Sequence, residues 1–236
     1  MNMCFKKIIG KIVPRWISTP LRVFKKMNAD YAHWKTVCAR QCVNRKGEPI
    51  PWYSYPAIEF IQQLDFSDKT VFEYGSGYST IFWASRCREL TSIEHDARWY
   101  QNIQPKLYPF QADYRLITDL KTYAQSIQMM NKSFDVIIID GQRRYACAVV
   151  ARKHLAPGGM IILDNADWFV ETAKYLRESG LIEVDMAGFS PINHYTLTTS
   201  IFLSRDFNIR SAHVHQPMPS IGAILNNDSE PHEVNP

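Results

Sequence analysis

Val71-Phe72-Glu73-Tyr74-Gly75-Ser76-Gly77-Tyr78-Ser79-Thr80 decides how this chain is read, together with Ser92-Ile93-Glu94-His95-Asp96 about one βα unit later. A short apolar run leads into a glycine turn and a helix start, and a second apolar run ends on a carboxylate. That order suits the adenosyl half of a nucleotide-like cofactor. Glycines admit a ligand close to the backbone, and the later acid accepts hydrogen bonds from both ribose hydroxyls.

Outward from this stretch the pattern alternates. Runs suited to strands fall at Thr70–Tyr74, Leu90–Ile93, Tyr114–Ile117, Val136–Ile139 and Met160–Leu163. Helical patterns lie between them at about Ser79–Arg86, Ala97–Leu107, Leu120–Met130, Tyr145–His154 and Asp167–Ser179, and Pro56–Leu64 reads as a helix leading into the first strand. Val/Ile-rich strands alternating with helices predict a Rossmann-like, doubly wound α/β sheet, mostly parallel and covered on both faces. Two last strands, near Ile182–Ala187 and Ser200–Ser204, have only the Gly188-to-Tyr195 loop between them and predict an antiparallel hairpin at the sheet edge. The expected division is a basic extension over 1–48, the α/β domain over 49–206, and an irregular tail over 207–236 whose last ten residues read as disordered.

The 236 residues are enough for one α/β domain with a full core. No apolar run approaches the roughly 18–20 residues that span a bilayer, and the lysine- and arginine-interrupted start lacks an Ala-x-Ala-like site, so a cytoplasmic protein is expected. Five scattered cysteines, Cys4, Cys38, Cys42, Cys87 and Cys147, read as reduced thiols, and the Cys38-x3-Cys42 spacing beside His33 is poor for zinc. Charge is unevenly spread. Residues 1–46 carry eleven Lys/Arg and one acid, Asp30, whereas the remainder has sixteen basic and twenty-two acidic residues.

In the basic front end, Phe5, Ile8, Ile9, Ile12, Val13 and Trp16 form a helical stripe with Lys6, Lys7, Lys11 and Arg15 mostly on other faces, and Pro14 and Pro20 limit the length of one straight helix. Such a segment lies on an anionic membrane surface or packs on the domain or a second subunit; residues 1–27 leave both readings open. Nucleic acid is not an expected partner, because the basic residues lack interleaved aromatics and the body is acidic. The oligomeric state is not legible.

In an open parallel sheet, ligands sit beyond the carboxyl ends of the strands. Those ends supply Glu73, Glu94, Asp119, Asp140 and Asp164-Asn165. Helix capping accounts for an isolated acid there, and Asp119 before Leu120 and Asp167 before Trp168 fit that role. Five on one rim point to a site.

Glu73-Tyr74-Gly75-Ser76-Gly77, Glu94 and Phe134-Asp135-Val136-Ile137-Ile138-Ile139-Asp140-Gly141 resemble the successive motifs of class I S-adenosylmethionine-dependent methyltransferases. Leu155-Ala156-Pro157-Gly158-Gly159-Met160-Ile161-Ile162-Leu163-Asp164-Asn165 is similar to that family's turn and fifth strand. The resemblance covers about residues 50–205 and implies a seven-stranded sheet with an antiparallel last hairpin. It also implies that the Gly75-Ser76-Gly77 turn lies against the methionine part of the cofactor, with Ser79 near its carboxylate and Glu73 among the cofactor-binding residues. Glu94 then binds the ribose, and Asp119 takes the adenine amino group with Leu120 or His95 packed on the ring. The acid before the first glycine and the absent third glycine favour methyl transfer over the hydride transfer of a NAD-dependent oxidoreductase; a non-catalytic binding protein of the same fold is the other alternative.

Gly77-Tyr78-Ser79, Ile139-Asp140 and Leu163-Asp164-Asn165-Ala166-Asp167-Trp168 further resemble the cation-dependent, catechol-type O-methyltransferases. That resemblance implies Mg2+ or another divalent cation on Asp140, Asp164 and Asn165, activating an acceptor hydroxyl. The glycine turn is two residues shorter than in that subfamily, and Arg143 stands where a lysine base is usual. Asp140 and Arg143 are the candidate catalytic residues, with Arg143 and Arg144 able to fork onto an anionic group of the acceptor. Trp52, Tyr53 and Tyr55 either wall a pocket for a sugar or aromatic ring or pack as core, and His194 is a further candidate base. The expected reaction is methylation, at oxygen, of a small-molecule or glycan-like acceptor.

Overall fold

The computed structural model describes residues 14–224. Seven strands form one sheet: β1 Thr70–Tyr74, β2 Glu89–Glu94, β3 Ala112–Leu116, β4 Phe134–Ile139, β5 Leu155–Leu163, β6 Ile182–Phe189 and β7 Thr196–Leu203. Their order is β3-β2-β1-β4-β5-β7-β6. The first five run parallel, and β7 runs antiparallel to both β5 and β6. The chain reverses its direction of travel across the sheet between β1 and β4, which leaves a crevice at their carboxyl ends.

Alternation along the central strands sorts the core into two layers. Phe72, Tyr74, Ile137, Ile139, Ile161 and Leu163 face one way, where α6 (Leu120–Gln125), α7 (Arg144–Ala151) and α8 (Val170–Glu178) supply Tyr123, Cys147, Ala148 and Leu176. Val71, Val136, Ile138, Met160 and Ile162 face the other, against Ile58 and Ile61 of α3 (Tyr55–Gln62) and Phe82 and Trp83 of α4 (Tyr78–Ala84). Both layers are dry, so the central strands are apolar at nearly every position. The helix after β2, α5 (Ala97–Ile103), completes the wrapping.

Several expected helices end earlier as α-helix and finish as a 3-10 turn, at Gln104–Leu107, Ser126–Met130 and Arg152–His154. The fifth strand begins five residues earlier than expected, taking in Pro157-Gly158-Gly159, because the glycines allow close pairing. A Cβ at Gly159 would stand 2.5 Å from the Asp135 carbonyl oxygen.

In front of the domain, α1 (Arg15–Ala29) runs straight through Pro20, so that proline does not end it as the sequence reading expected. None of its residues is buried, and water can meet the carbonyl left without a partner. The next helix, α2 (His33–Ala39), is tied down: the Ile192 N–H donates to Thr36 Oγ1 at 2.9 Å, and Tyr31 donates to Glu59 at 2.7 Å. The segment after β7 is irregular up to 224 but strapped along the end of α3, where Ala212 N donates to the Gln63 carbonyl and Ile221 N to Glu59. The stripe starting at Phe5 and the last ten residues lie outside the described residues.

Candidate active site

The glycine turn follows β1 because the backbone there leaves no room for side chains. Gly75 has φ +87°, and a Cβ on it would stand 2.7 Å from the Gly141 amide nitrogen. Gly141, just past β4, is equally confined: a Cβ there would meet Tyr123 Oη at 1.9 Å. The two turns therefore touch backbone to backbone at the sheet's crevice.

Glu73 lies beneath the turn with no exposed surface. Ser79 and Thr80 at the start of α4 each donate to it at 2.6 Å, and Ser92 of β2 at 2.7 Å. Burial outweighs these three hydroxyls and pushes the Glu73 carboxyl up to about 7. Both Glu73 and Ser79, expected near the cofactor, are thus engaged with each other, and the pair fixes the helix start to the turn.

Glu94 ends β2 almost fully buried, facing back to the turn. Its Oε2 accepts from Ser76 N at 3.0 Å and Ser76 Oγ at 2.6 Å, and its Oε1 from the amides of His95 and Asp96, both at 2.8 Å. Around it runs an open groove of about 400 Å³, lined by Gly75, Ser76, Glu94 and His95 on one side and Asp140 and Gly141 on the other. Trp99 closes one wall, its Nε1 donating to the Ser76 carbonyl at 2.6 Å. A flat, bare glycine turn beside an acid is the cradle an adenosyl cofactor needs, and the volume lies within the usual range for a ligand cleft.

Asp119 does not line this groove. It caps α6, accepting from Thr122 N at 2.8 Å, and it and Leu120 are exposed. Arg143 is exposed as well, at φ 51° in front of α7.

Arg144 is buried, and its guanidinium organises the ends of β4 and β5. Nη2 donates to Asp140 Oδ1 at 2.9 Å and to the Asp140 carbonyl at 3.2 Å. Nη1 donates to Asn165 Oδ1 at 3.1 Å and also to the Asp164 carbonyl, and Nε donates to the Gly141 carbonyl at 3.1 Å. The same group stacks 4.4 Å over the ring of Phe169. Asp164 is turned inward, accepting from Thr199 Oγ1 at 2.6 Å. These residues do not fit a divalent cation. Two of the three expected oxygen donors face a guanidinium, which brings its own positive charge to the place a metal would need. Among the described residues no cluster of three or more His, Cys, Asp or Glu could hold a metal ion, the Cys38, Cys42 and His33 set included.

Burial pushes the Asp140 carboxyl up to about 6, the Arg144 charge offsetting part of that and the Glu94 charge adding to it. Asp164 is pushed up as well, by burial and by the Asp140 charge.

A second cleft, of about 350 Å³, opens on the other side of Asp140. Trp52, Trp99, Trp168 and Tyr195 stand around it, and Asp140, Asn165 and Asn193 are among its polar groups. Ser76, Trp99, Asp140 and Arg144 border both spaces. The aromatic run before β1 divides as the chain enters the fold: Trp52 reaches the cleft, while Tyr53 and Tyr55 are core. His194 is exposed and lies edge-on to Tyr195 without lining the cleft.

Sequence reasoning passed over Trp99 and Asn193, and it read Arg144, together with Arg143, as a fork for an anionic group of the acceptor or a surface pair, not as the partner of the strand ends. The nearness of Asp140 to Arg144 along the chain, four residues on at the start of the next helix, was the available signal.

Residues 72–166 match a family model described as a methyltransferase domain. No curated protein matches the sequence. Among solved structures, a precorrin-6y C5,15-methyltransferase from Geobacter metallireducens GS-15 is 13% identical, with a TM-score of 0.50 over 63% of this chain and 88% of that one. A Clostridium thermocellum protein assigned as an rRNA-methylase is 14% identical, with a TM-score of 0.51 over 66% of this chain and 99% of that one. At such identities the likeness is one of fold. Residues 72–166 therefore resemble a methyltransferase domain, and the whole sheet has a fold shared with these methyltransferase structures.

Proposed function

We propose that the chain transfers the methyl group of S-adenosylmethionine to an oxygen of a small-molecule or glycan-like acceptor, with Asp140 receiving the hydroxyl proton. The observation that carries this reading is the meeting of the glycine-turn groove and the aromatic cleft at one carboxylate. The cofactor supplies an electrophilic methyl carbon. Glu94 Oε2, which now accepts from Ser76 Oγ, takes a ribose hydroxyl in exchange, while Gly75 and Gly77 let the methionine part lie on bare backbone. Arg144 holds Asp140 by Oδ1 and so aims its other oxygen. An acid at about 6 is ionised at neutral pH and still basic enough to accept a proton. Positioning of the acceptor oxygen in line with the methyl carbon supplies most of the rate.

S-adenosylhomocysteine at about 100 times its dissociation constant should stabilise the protein by roughly 2.7 kcal/mol. NAD should give no shift, and Glu94→Gln should lose the shift. A shift with NAD alone would make the protein an oxidoreductase. Methyl transfer from labelled cofactor should disappear in Asp140→Asn while cofactor binding remains; undiminished transfer removes Asp140 from the reaction, and a wild type that binds but never transfers is a binding protein.

A second reading, peripheral attachment to an anionic membrane through residues 1–27, is supported by α1. Trp16, Leu21, Val23 and Phe24 are 57–76% exposed. The same helix carries Arg15, Arg22, Lys25 and Lys26 and no acid. Vesicles rich in phosphatidylserine should retain the protein and neutral vesicles should not, and Leu21→Glu with Phe24→Glu should release it. Equal behaviour on both vesicles would leave α1 as a packing surface.

A further inference from the structure

The cleft beside Asp140 is built from two kinds of side chain and almost nothing else. Trp52, Trp99, Trp168 and Tyr195 leave 39–61% of their surfaces open. The other lining groups are polar apart from Leu197, the single aliphatic side chain among the described residues that line it. A flat aromatic acceptor would be less well matched here, because seating its apolar face would cover the Asp140 oxygen and the Asn165 amide nitrogen that Arg144 does not engage. A sugar ring has both surfaces that the cleft asks for. Its C–H face packs on an indole, and its hydroxyls donate to carboxylate and amide oxygens and accept from amide nitrogens.

Charge narrows the class further. Among the described residues Arg144 is the cation that lines the cleft, and its guanidinium is spent on Asp140, Asn165 and three backbone carbonyls. Among these residues no other lining cation is left to receive a phosphate or carboxylate, and the Asp140 charge would repel one. At about 350 Å³ and open to solvent, the cleft admits a ring or two and lets the rest of a longer glycan stay outside.

We infer that the acceptor is a neutral glycosyl unit, packed against the indoles of Trp52 and Trp168, with the hydroxyl to be methylated pointing at Asp140. This rests on the methyl-transfer reading above. The hydroxyl proton passes to Asp140, the new bond joins the sugar oxygen to the methyl carbon, and the pair of electrons of the breaking S–C bond stays on sulfur.

The test uses the full chain, saturated with S-adenosylhomocysteine, on an array of neutral glycans, uronic-acid and phosphorylated glycans, and immobilised catechols. Hits are then offered as acceptors with labelled S-adenosylmethionine. Neutral glycans should bind and accept label. Trp52→Ala and Trp168→Ala, which lie outside the cofactor groove, should each raise the acceptor KM about tenfold or more while keeping the S-adenosylhomocysteine thermal shift. Preference for catechols, preference for anionic glycans over their neutral parents, or binding to no neutral glycan would each overturn the inference. Absence of the thermal shift in the wild type would instead refute the cofactor reading, and the array run without cofactor would still judge the sugar site.

Discussion

Replacing Arg144 by methionine removes the guanidinium but keeps most of the stem, and the structure says what is stranded. Asp140 loses its 2.9 Å partner, Asn165 its 3.1 Å donor, and the carbonyls of Gly141, Asp140 and Asp164 lose theirs. The guanidinium also leaves the face of Phe169. The side chain is only 9% exposed, so water cannot substitute freely. Breaking a buried pair by removing one partner costs about 3–5 kcal/mol, several times the effect of an exposed pair. Urea unfolding of Arg144→Met should therefore show an unfolding free energy lowered by that amount, seen as a lower midpoint at unchanged slope, while Arg210→Met, whose partner Asp65 sits at the surface, should scarcely move it. The loss should also depend on pH. Without Arg144 the Asp140 carboxyl is pushed still higher, so the penalty is largest when it must ionise, above about pH 7, and shrinks towards pH 5. Arg144→Lys keeps one charge without the fork and should fall between. A penalty below about 1 kcal/mol for Arg144→Met, or one that does not vary with pH, would refute the reasoning.

Three further expectations concern other groups. Glu73 has a folded value near 7 against an ordinary 4.5, so the stability it contributes is complete below about pH 4.5 and is lost as pH rises through 7. Over that window it amounts to about 3 kcal/mol at 1.36 kcal/mol per pH unit. Denaturation curves of Glu73→Gln should lack this part of the slope, and an unaltered slope would mean that Glu73 is not the group responsible. Exhaustive chelation should leave methyl transfer intact and added Mg2+ or Mn2+ should not raise it; loss with chelator and recovery with magnesium would return a cation to Asp140 and Asn165. Gly141→Ala should weaken S-adenosylhomocysteine binding and cost about 1–3 kcal/mol, because its methyl meets Tyr123 Oη. Tyr123→Phe, removing a buried hydroxyl that finds no hydrogen-bond partner among the described residues, should recover part of that loss, and a double variant no better than Gly141→Ala would show that the clash lies elsewhere.

The order of β and α elements, the glycine turn after β1 and the antiparallel ending were legible in the chain because each is a local matter. Alternating apolar positions decide which residues face a layer, and Gly75 at φ +87° meets a demand set by its own backbone. The places of Glu94 and Asp140 at strand ends were legible for the same reason, since the end of a parallel strand is a place that sequence position names. The partners of these acids were not. Nothing local says that Ser92 joins Ser79 and Thr80 on Glu73, or that Trp52 and Tyr195 meet Asn165 across a cleft. The Ser92 contact joins residues 19 apart, and the cleft brings together residues as far apart as Trp52 and Tyr195. The metal set shows the division best. Asp140, Asp164 and Asn165 make a plausible triad when read along the chain, and only the packed ends of β4, β5 and α7 show Arg144 among them. A buried carboxylate is stabilised by whichever positive charge the fold brings within reach, and here the fold brings a guanidinium.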